Sequence, residues 1–394
     1  PMRSGGLDLG KRKITHCGVH ADGSVTRQTV SELAQLEQWL GPDSPPARVA
    51  FEACREAWWT HDVLLAWGNE PLIVDTTRVG QIGIGQHGRK NDEIDAEVLA
   101  RALAEGRLPL AHVLSPHRRR LREALSVRHR LVQTRAQLTA MVREALRALG
   151  VALPSCATDD FVVMLRAQPM SDEHREHVAP LVHVLCTVQE QIAVAQERLV
   201  TRSRDEPVIE RLATVRGVSL IIAAAFVSVV DDAHRFQSAS HVVSYLGLCP
   251  SERSTGGRRK LGSITKQGNA YLRAMLVQGA WTVLRGPDDD PLSVWGRQVA
   301  QRRGNKVAVV AVARRLVRIL FAVWKHDTVY DPARLAERSA DGKQQEAGDT
   351  QRAAKALRRA AKTIDDTVRT ARKKANAVTT PDSAAARKTR NARA

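Results

Sequence analysis

The stretch Lys90-Asn91-Asp92-Glu93-Ile94-Asp95-Ala96 decides how the first third of the chain is read. It opens a helical pattern over 92–105, with Ile94, Val98, Leu99 and Leu103 on the apolar side. Asp92 and Asp95 are three apart, so their Cβ atoms share one helix face about 5–6 Å apart. Acids at a helix start also suit the positive end of its dipole, which alone would account for the pair. Two acids upstream enlarge the reading. Asp8 lies inside Gly6-Leu7-Asp8-Leu9-Gly10, and Glu52 closes Ala47-Arg48-Val49-Ala50-Phe51; both segments read as strands. An acid embedded in an apolar strand is costly unless it is paired, protonated or metal-bound. Asp8, Glu52, Asp92 and Asp95 together offer hard oxygen donors from separate elements. That donor set suits Mg²⁺ or Mn²⁺, and paired ions of this kind suit attack on a phosphodiester.

Working outward, segments 6–9, 14–19 and 25–29 read as strands, the last two joined by an Asp22-Gly23 turn. A helix carrying Leu33, Leu36, Trp39 and Leu40 follows Ser31, a suitable N-cap. Then come strand 47–52, helix 56–67, strand 71–74 and the helix from Asp92. The order β-β-β-α-β-α-β-α matches a ribonuclease-H-like fold, with acids of central strands and a late helix gathered at one edge of a mixed sheet. Residues 1–110 are expected to form this domain. Gly83-Ile84-Gly85-Gln86-His87-Gly88 matches the dinucleotide fingerprint in form only. No strand precedes it, and it stands before the last helix rather than at the first βα turn. Its cations, Arg78, His87, Arg89 and Lys90, suit a basic lip over the acids that holds a nucleic-acid phosphate, or a plain solvated loop.

Composition points the same way. The 394 residues hold 60 Lys+Arg against 42 Asp+Glu, a formal net charge of +18. Such an excess predicts a polyanionic partner, nucleic acid first. No run approaches the roughly 18 apolar residues of a transmembrane helix, so no membrane partner is expected. The five cysteines are odd in number and form no C-x-x-C pair, which suggests reduced thiols and a cytoplasmic protein.

Residues 115–205 read as a helical linker. Leu121, Leu125, Val132, Leu138, Val142 and Leu149 keep near-heptad spacing, as do Leu181, Val184, Leu185, Val188, Ile192 and Leu199. A hairpin within one chain and a coiled coil between chains both fit. Residues 207–332 read as a mainly α domain, entered through a helix–turn–helix about Gly217. Between its helices runs Cys249-Pro250-Ser251-Glu252-Arg253-Ser254-Thr255-Gly256-Gly257-Arg258-Arg259-Lys260-Leu261-Gly262-Ser263-Ile264-Thr265-Lys266-Gln267-Gly268-Asn269. A hydroxyl nucleophile needs room and cations to stabilise phosphoryl charge, and this loop offers both. A phosphate-gripping loop without chemistry is the competing reading. Trp281, Trp295 and Trp324 lie on the helices that follow and are expected in the core. From Ala340 onward fourteen Lys/Arg face six Asp/Glu, so 333–394 reads as a basic, disordered tail.

Over about residues 4–332 these motifs resemble the DEDD transposases of bacterial insertion sequences, the family numbered 110. These are relatives of the Piv and MooV invertases and act as bridge-RNA-guided recombinases. The resemblance rests on Leu7-Asp8-Leu9-Gly10-Lys11, Phe51-Glu52-Ala53, the Lys90–Ala96 heptapeptide, Tyr245-Leu246-Gly247-Leu248-Cys249-Pro250, Ser254-Thr255-Gly256-Gly257 and Ile264-Thr265-Lys266-Gln267-Gly268-Asn269, in that order. Arg216-Gly217-Val218-Ser219 departs from the family's usual Pro-Gly-Ile-Gly, and the tail beyond Pro332 has no counterpart.

The resemblance implies a RuvC-like N-terminal domain with Asp8, Glu52, Asp92 and Asp95 as a metal-binding tetrad. It also implies a coiled-coil linker and a C-terminal transposase domain bearing a nucleophilic serine. The motif assigns Ser254, with Ser251 and Ser263 as the other candidates. The expected activity is site-specific recombination through a phosphoserine–DNA link, assisted by Mg²⁺ and by Arg253, Arg258, Arg259, Lys260 and Lys266. Expected partners are double-stranded donor and target DNA, a guide RNA, and further copies of the chain in a dimer or tetramer. A metal-dependent junction nuclease using activated water is the alternative.

Overall fold

Strand β1 (Arg3–Leu9) is the centre of a five-stranded mixed sheet. It pairs antiparallel with β2 (Ile14–Val19), which pairs antiparallel with β3 (Val25–Val30). On its other side β1 runs parallel to β4 (Ala47–Glu52), and β4 runs parallel to β5 (Glu70–Val74), giving the order β3-β2-β1-β4-β5. The computed structural model describes residues 3–20, 22–78, 92–253 and 261–333, with 92 and 93 described by their backbone only. The chain divides into two compact units between His117 and Arg118.

In the first unit the predicted element order is observed, and the mixed sheet is consistent with an RNase-H-like domain. Side chains alternate across each strand, so each strand feeds two separate cores. Leu7, Val49, Phe51 and Ile73 are buried on one face. There they meet Leu33 and Leu36 of a 3-10 turn, Leu40 of α1 (Glu37–Leu40), and Ala57 and Leu64 of α2 (Ala57–Ala66). Buried Asn69 ties this layer together: it accepts from the Ala47 amide and donates to the Leu40 and Leu64 carbonyls. The opposite face is covered by α3 (Asp92–Ala104).

The buried stripe of α3 differs from expectation. Ala96, Leu99, Ala100 and Leu103 are buried, whereas Ile94 is 42% exposed. The cause is Gly6. A Cβ there would stand 2.0 Å from the Ala96 carbonyl oxygen and 2.9 Å from the Ala100 nitrogen. The helix lies with its backbone on β1, where only alanines fit between them.

In the second unit, α4 (Pro116–Ala148) and α6 (Asp172–Arg204) run antiparallel as a hairpin with α5 (Phe161–Ala167) at its tip. Leu138, Val142 and Leu146 pack with Val178 and Leu185 around Phe161 and Leu165. Leu121 and Leu125 pack with Leu199 at the other end, within the core of the C-terminal helices. By length and composition alone α6 could cross a membrane. Its apolar side instead meets α4 and α5.

That C-terminal core surrounds α8 (Leu220–Val230), buried along most of its length. Helices α7 (Pro207–Ala213), α9 (Ala239–Tyr245), α10 (Ala270–Leu284), α11 (Pro291–Arg303) and α12 (Asn305–Lys325) enclose it. The turn between α7 and α8 has Gly217 at φ +79°, and a Cβ there would stand 2.5 Å from the Gly279 carbonyl on α10. That glycine therefore serves a close backbone approach within the core. The segment read as one long loop before α10 contains a short antiparallel hairpin, β6 (Pro250–Glu252) and β7 (Leu261–Ile264).

Candidate active site

The acids of the first unit are positioned by strand register. Gly6 pairs with Ala50 and Leu7 with Phe51, so the same parallel register carries Asp8 beside Glu52. Two residues before Asp8, Gly6 faces α3; two residues before Glu52, Ala50 packs on Leu99 and Leu103 of α3. Alternation therefore sends Asp8 and Glu52 to the helix side of the sheet. Both are half-buried. Thr15, buried, stands opposite Asp8 on β2, its hydroxyl 3.3 Å from that of Thr29.

Asp95, also half-buried, is one turn before Leu99 on the stripe that packs on β4. The Asp92 backbone lies one turn further toward the helix start. A salt bridge fastens this helix to the sheet: Glu97 accepts from Arg27 of β3 and, at 2.8 Å, from Arg101. Those bonds, Arg27 first, hold the Glu97 carboxyl below the usual carboxylate range. Three predicted acids thus share one layer of the domain. No group of three or more His, Cys, Asp or Glu able to hold a metal ion is assembled among the described residues. The donor chemistry suits a hard divalent cation.

The hairpin of the second unit is braced by motif residues whose spacing alone did not explain them. Gly247 (φ +67°) lies on the Gln267 backbone, where a Cβ would be 2.0 Å from a carbonyl oxygen. Gly268 (φ +77°) lies on Tyr245 in the same way, at 2.1 Å. Thr265 donates its amide to Cys249, and Lys266 donates its amide to Gly247 from a left-handed φ of +58°. Arg273, which the sequence reading did not single out, donates from Nη1 to the carbonyls of Leu246 (3.2 Å) and Gln267 (2.7 Å). Asn269 caps α10 through the Leu272 amide at 2.8 Å. Tyr245–Pro250 and Ile264–Asn269 are therefore two sides of one interlocked base.

Arg253 is exposed at the end of β6, and the Lys266 side chain is exposed. Ser251 lies against Gly262, while Ser263 is exposed on β7. Ser254, Arg258, Arg259 and Lys260 of the hairpin tip lie outside the described residues, as do Arg89 and Lys90 of the lip and the tail after Ala333.

Sequence comparison covers both units. Residues 5–150 match a transposase profile of the DEDD type, and residues 209–290 match the profile described as "Transposase IS116/IS110/IS902 family". A "Probable family 20 transposase" of Pseudomonas aeruginosa is 30% identical over 335 residues, spanning 83% of this chain and 98% of the relative. The chain belongs to the IS116/IS110/IS902 family of transposases. As transposases, the family's members cleave and rejoin DNA. The transposase for insertion sequence element IS1328 of Yersinia enterocolitica is 28% identical, over 82% of this chain and 97% of the relative. The transposase for IS1111A of Coxiella burnetii is 25% identical, over 82% and 90%. In this transposase the first profile spans Asp8, Glu52, Asp92 and Asp95, and the second spans the braced hairpin.

Proposed function

We propose that this transposase works as a serine recombinase with a carboxylate-held metal. Asp8, Glu52, Asp92 and Asp95 would hold Mg²⁺ or Mn²⁺, which when bound supplies Lewis-acid stabilisation of a phosphate. Ser254 Oγ attacks the scissile phosphorus. The Oγ–P bond forms, the P–O bond to one DNA end breaks, and the departing oxygen leaves as a hydroxyl. The hydroxyl of the exchanged end then attacks phosphorus and releases the serine, so the phosphodiester is conserved throughout. Arg253, Arg258, Arg259, Lys260 and Lys266 neutralise the developing charge, and Arg89 and Lys90 hold phosphates near the acids. Donor and target duplexes are recognised with a guide RNA. The hairpin of α4 and α6 acts as a coiled-coil linker in a dimer or tetramer, in the cytoplasm.

The observation that carries the reading is the braced base of the β6–β7 hairpin, within the span of the family profile; in sequence the residues that join its two strands are rich in hydroxyls and cations. The test is incubation of the full chain, its co-purifying RNA and labelled donor and target DNA with Mg²⁺. A detergent-stable protein–DNA adduct is expected, absent in Ser254→Ala and in Asp92→Ala. Cleaved DNA without an adduct, unchanged by Ser254→Ala, would assign the protein to water-using nucleases instead.

A further inference from the structure

Beside the hairpin the second unit carries a groove of about 780 Å³ between β7, the end of α11 and the start of α12. Four cations line it: Arg302, Arg303, Lys306 and Arg314. Among the described residues no acid lines it and none of the four forms an ion pair. Arg302 bonds a carbonyl of its own helix, and among the described residues the buried Arg314 Nε meets no partner. Between the cations the wall is apolar, formed by Trp295, Val299, Val307 and Val310, with Val307 43% exposed. The Trp295 ring is held by the Arg315 guanidinium 4.5 Å from its centroid. Gly304 ends α11 and starts α12 without a side-chain cap, so the positive end of a 21-residue helix opens at the same corner.

Cations at both ends of an apolar, aromatic trough match neither a duplex nor a peptide. A duplex presents phosphates, sugars and base edges but keeps its base faces stacked. An acidic peptide would leave the trough unfilled. A single strand presents phosphates and unstacked bases together, and aromatic side chains are the usual platform for such bases. From Lys306 to Arg314 the wall runs about 12 Å along α12, room for a short unpaired stretch. The chain's own basic tail, net +8 from Ala340 onward, would be repelled.

We infer that this groove binds an unpaired stretch of DNA, with Arg302, Arg303, Lys306 and Arg314 on its phosphates and Trp295 against a base. The inference rests on the proposed recombinase only for the source of the strand, a segment opened next to the hairpin. Ser263, on the groove's rim, sets the strand beside β7.

The test measures binding of labelled oligothymidylate, and of a duplex of equal length, to the full chain across a salt series. Arg303→Ala/Lys306→Ala is compared with Arg202→Ala/Arg204→Ala, an equal charge loss at the end of α6. Each lost phosphate contact on a single strand flattens the salt slope by about 0.7, so the groove variant should be shallower by about 1.4. Its single-strand affinity should fall about tenfold or more below that of the control, with duplex affinity matching the control. Trp295→Ala should weaken the oligothymidylate by about tenfold, as loss of one stacked base does. Photocrosslinking of a halogenated oligonucleotide to the wild type should label α11 or α12. A groove variant indistinguishable from its control, an equal loss on duplex, or crosslinks elsewhere would each overturn the inference. Adduct formation by the wild type reports separately on the recombinase reading.

Discussion

The carbonyl oxygen of Ala96 lies where a methyl group on Gly6 would stand, 2.0 Å from the ideal Cβ position. This contact seats α3 on β1, and α3 carries Asp95 and the backbone of Asp92 over the sheet face of Asp8 and Glu52. Gly6→Ala should therefore lift the helix. Overpacking of this kind costs about 1–3 kcal/mol, visible as a lower Tm. Activity should suffer more than stability, because displacing a catalytic group by about 1 Å can cost a hundredfold. Gly5→Ala is the contrast. Its Cβ would be 3.0 Å from the His16 ring on the opposite face, away from the acids. Comparable DNA cleavage by the two variants would show that α3 seating does not set the geometry of the acids.

Much of this arrangement was legible in the sequence. Asp8 and Glu52 stand out because one interrupts and the other closes an apolar strand. The order of elements along the chain followed from the short apolar runs and from the Asp22-Gly23 turn. The buried stripe of α3 is not legible locally: bulky residues mark a core in sequence, whereas Gly6 selects alanines through a contact between residues ninety positions apart. The β6–β7 hairpin was missed for another reason. Its residues are short, glycine-rich and mostly exposed, so no apolar alternation marks them. Arg273 had no local signal, since its role appears only once Leu246 and Gln267 are brought together.

Those two carbonyls make Arg273 a test of the hairpin base. One nitrogen of its rigid, planar guanidinium spans both, whereas a lysine ammonium is a compact charge on a flexible stem. Arg273→Lys should retain DNA binding and lose adduct formation by about tenfold, the scale of one charge-assisted hydrogen bond. Gly268→Ala should be more severe, since a left-handed φ and a Cβ 2.1 Å from the Tyr245 carbonyl both oppose it. The readout is adduct yield beside Tm. Full adduct yield in Gly268→Ala would mean the base does not position the tip.

His16 gives the first unit a pH dependence. Burial pushes its pKa below the usual value, against the raising effect of its hydrogen bond to Gln28 at 3.0 Å. The folded state therefore disfavours imidazolium relative to the unfolded chain. Stability is full where histidine is neutral in both states and is lost as pH falls below about 6.5, the unfolded value. Glu97, whose pKa is lowered by Arg27 and Arg101, adds its own loss only further down, as pH falls through the carboxylate range. Urea midpoints measured from pH 8 to pH 5 should decline in wild type and decline less in His16→Gln. Parallel curves would remove His16 as the cause.

The two serines on the hairpin strands separate the tip from its support. A Cβ on Gly262 would stand 2.5 Å from the Ser251 hydroxyl, so that hydroxyl occupies the space the glycine leaves. A group packed across the hairpin in this way braces it and is poorly placed to attack an incoming phosphate. Ser251→Ala should therefore still form the adduct, reduced by about fivefold at most, the effect of losing about 1 kcal/mol of bracing. Ser251→Ala/Gly262→Ala should match the single variant, because the hydroxyl that would meet the new methyl is gone, whereas Gly262→Ala alone should be worse. Ser263→Ala, exposed on β7, should also form the adduct. Loss of the adduct in Ser251→Ala or Ser263→Ala, with yield retained in Ser254→Ala, would move the nucleophile from the tip onto a strand.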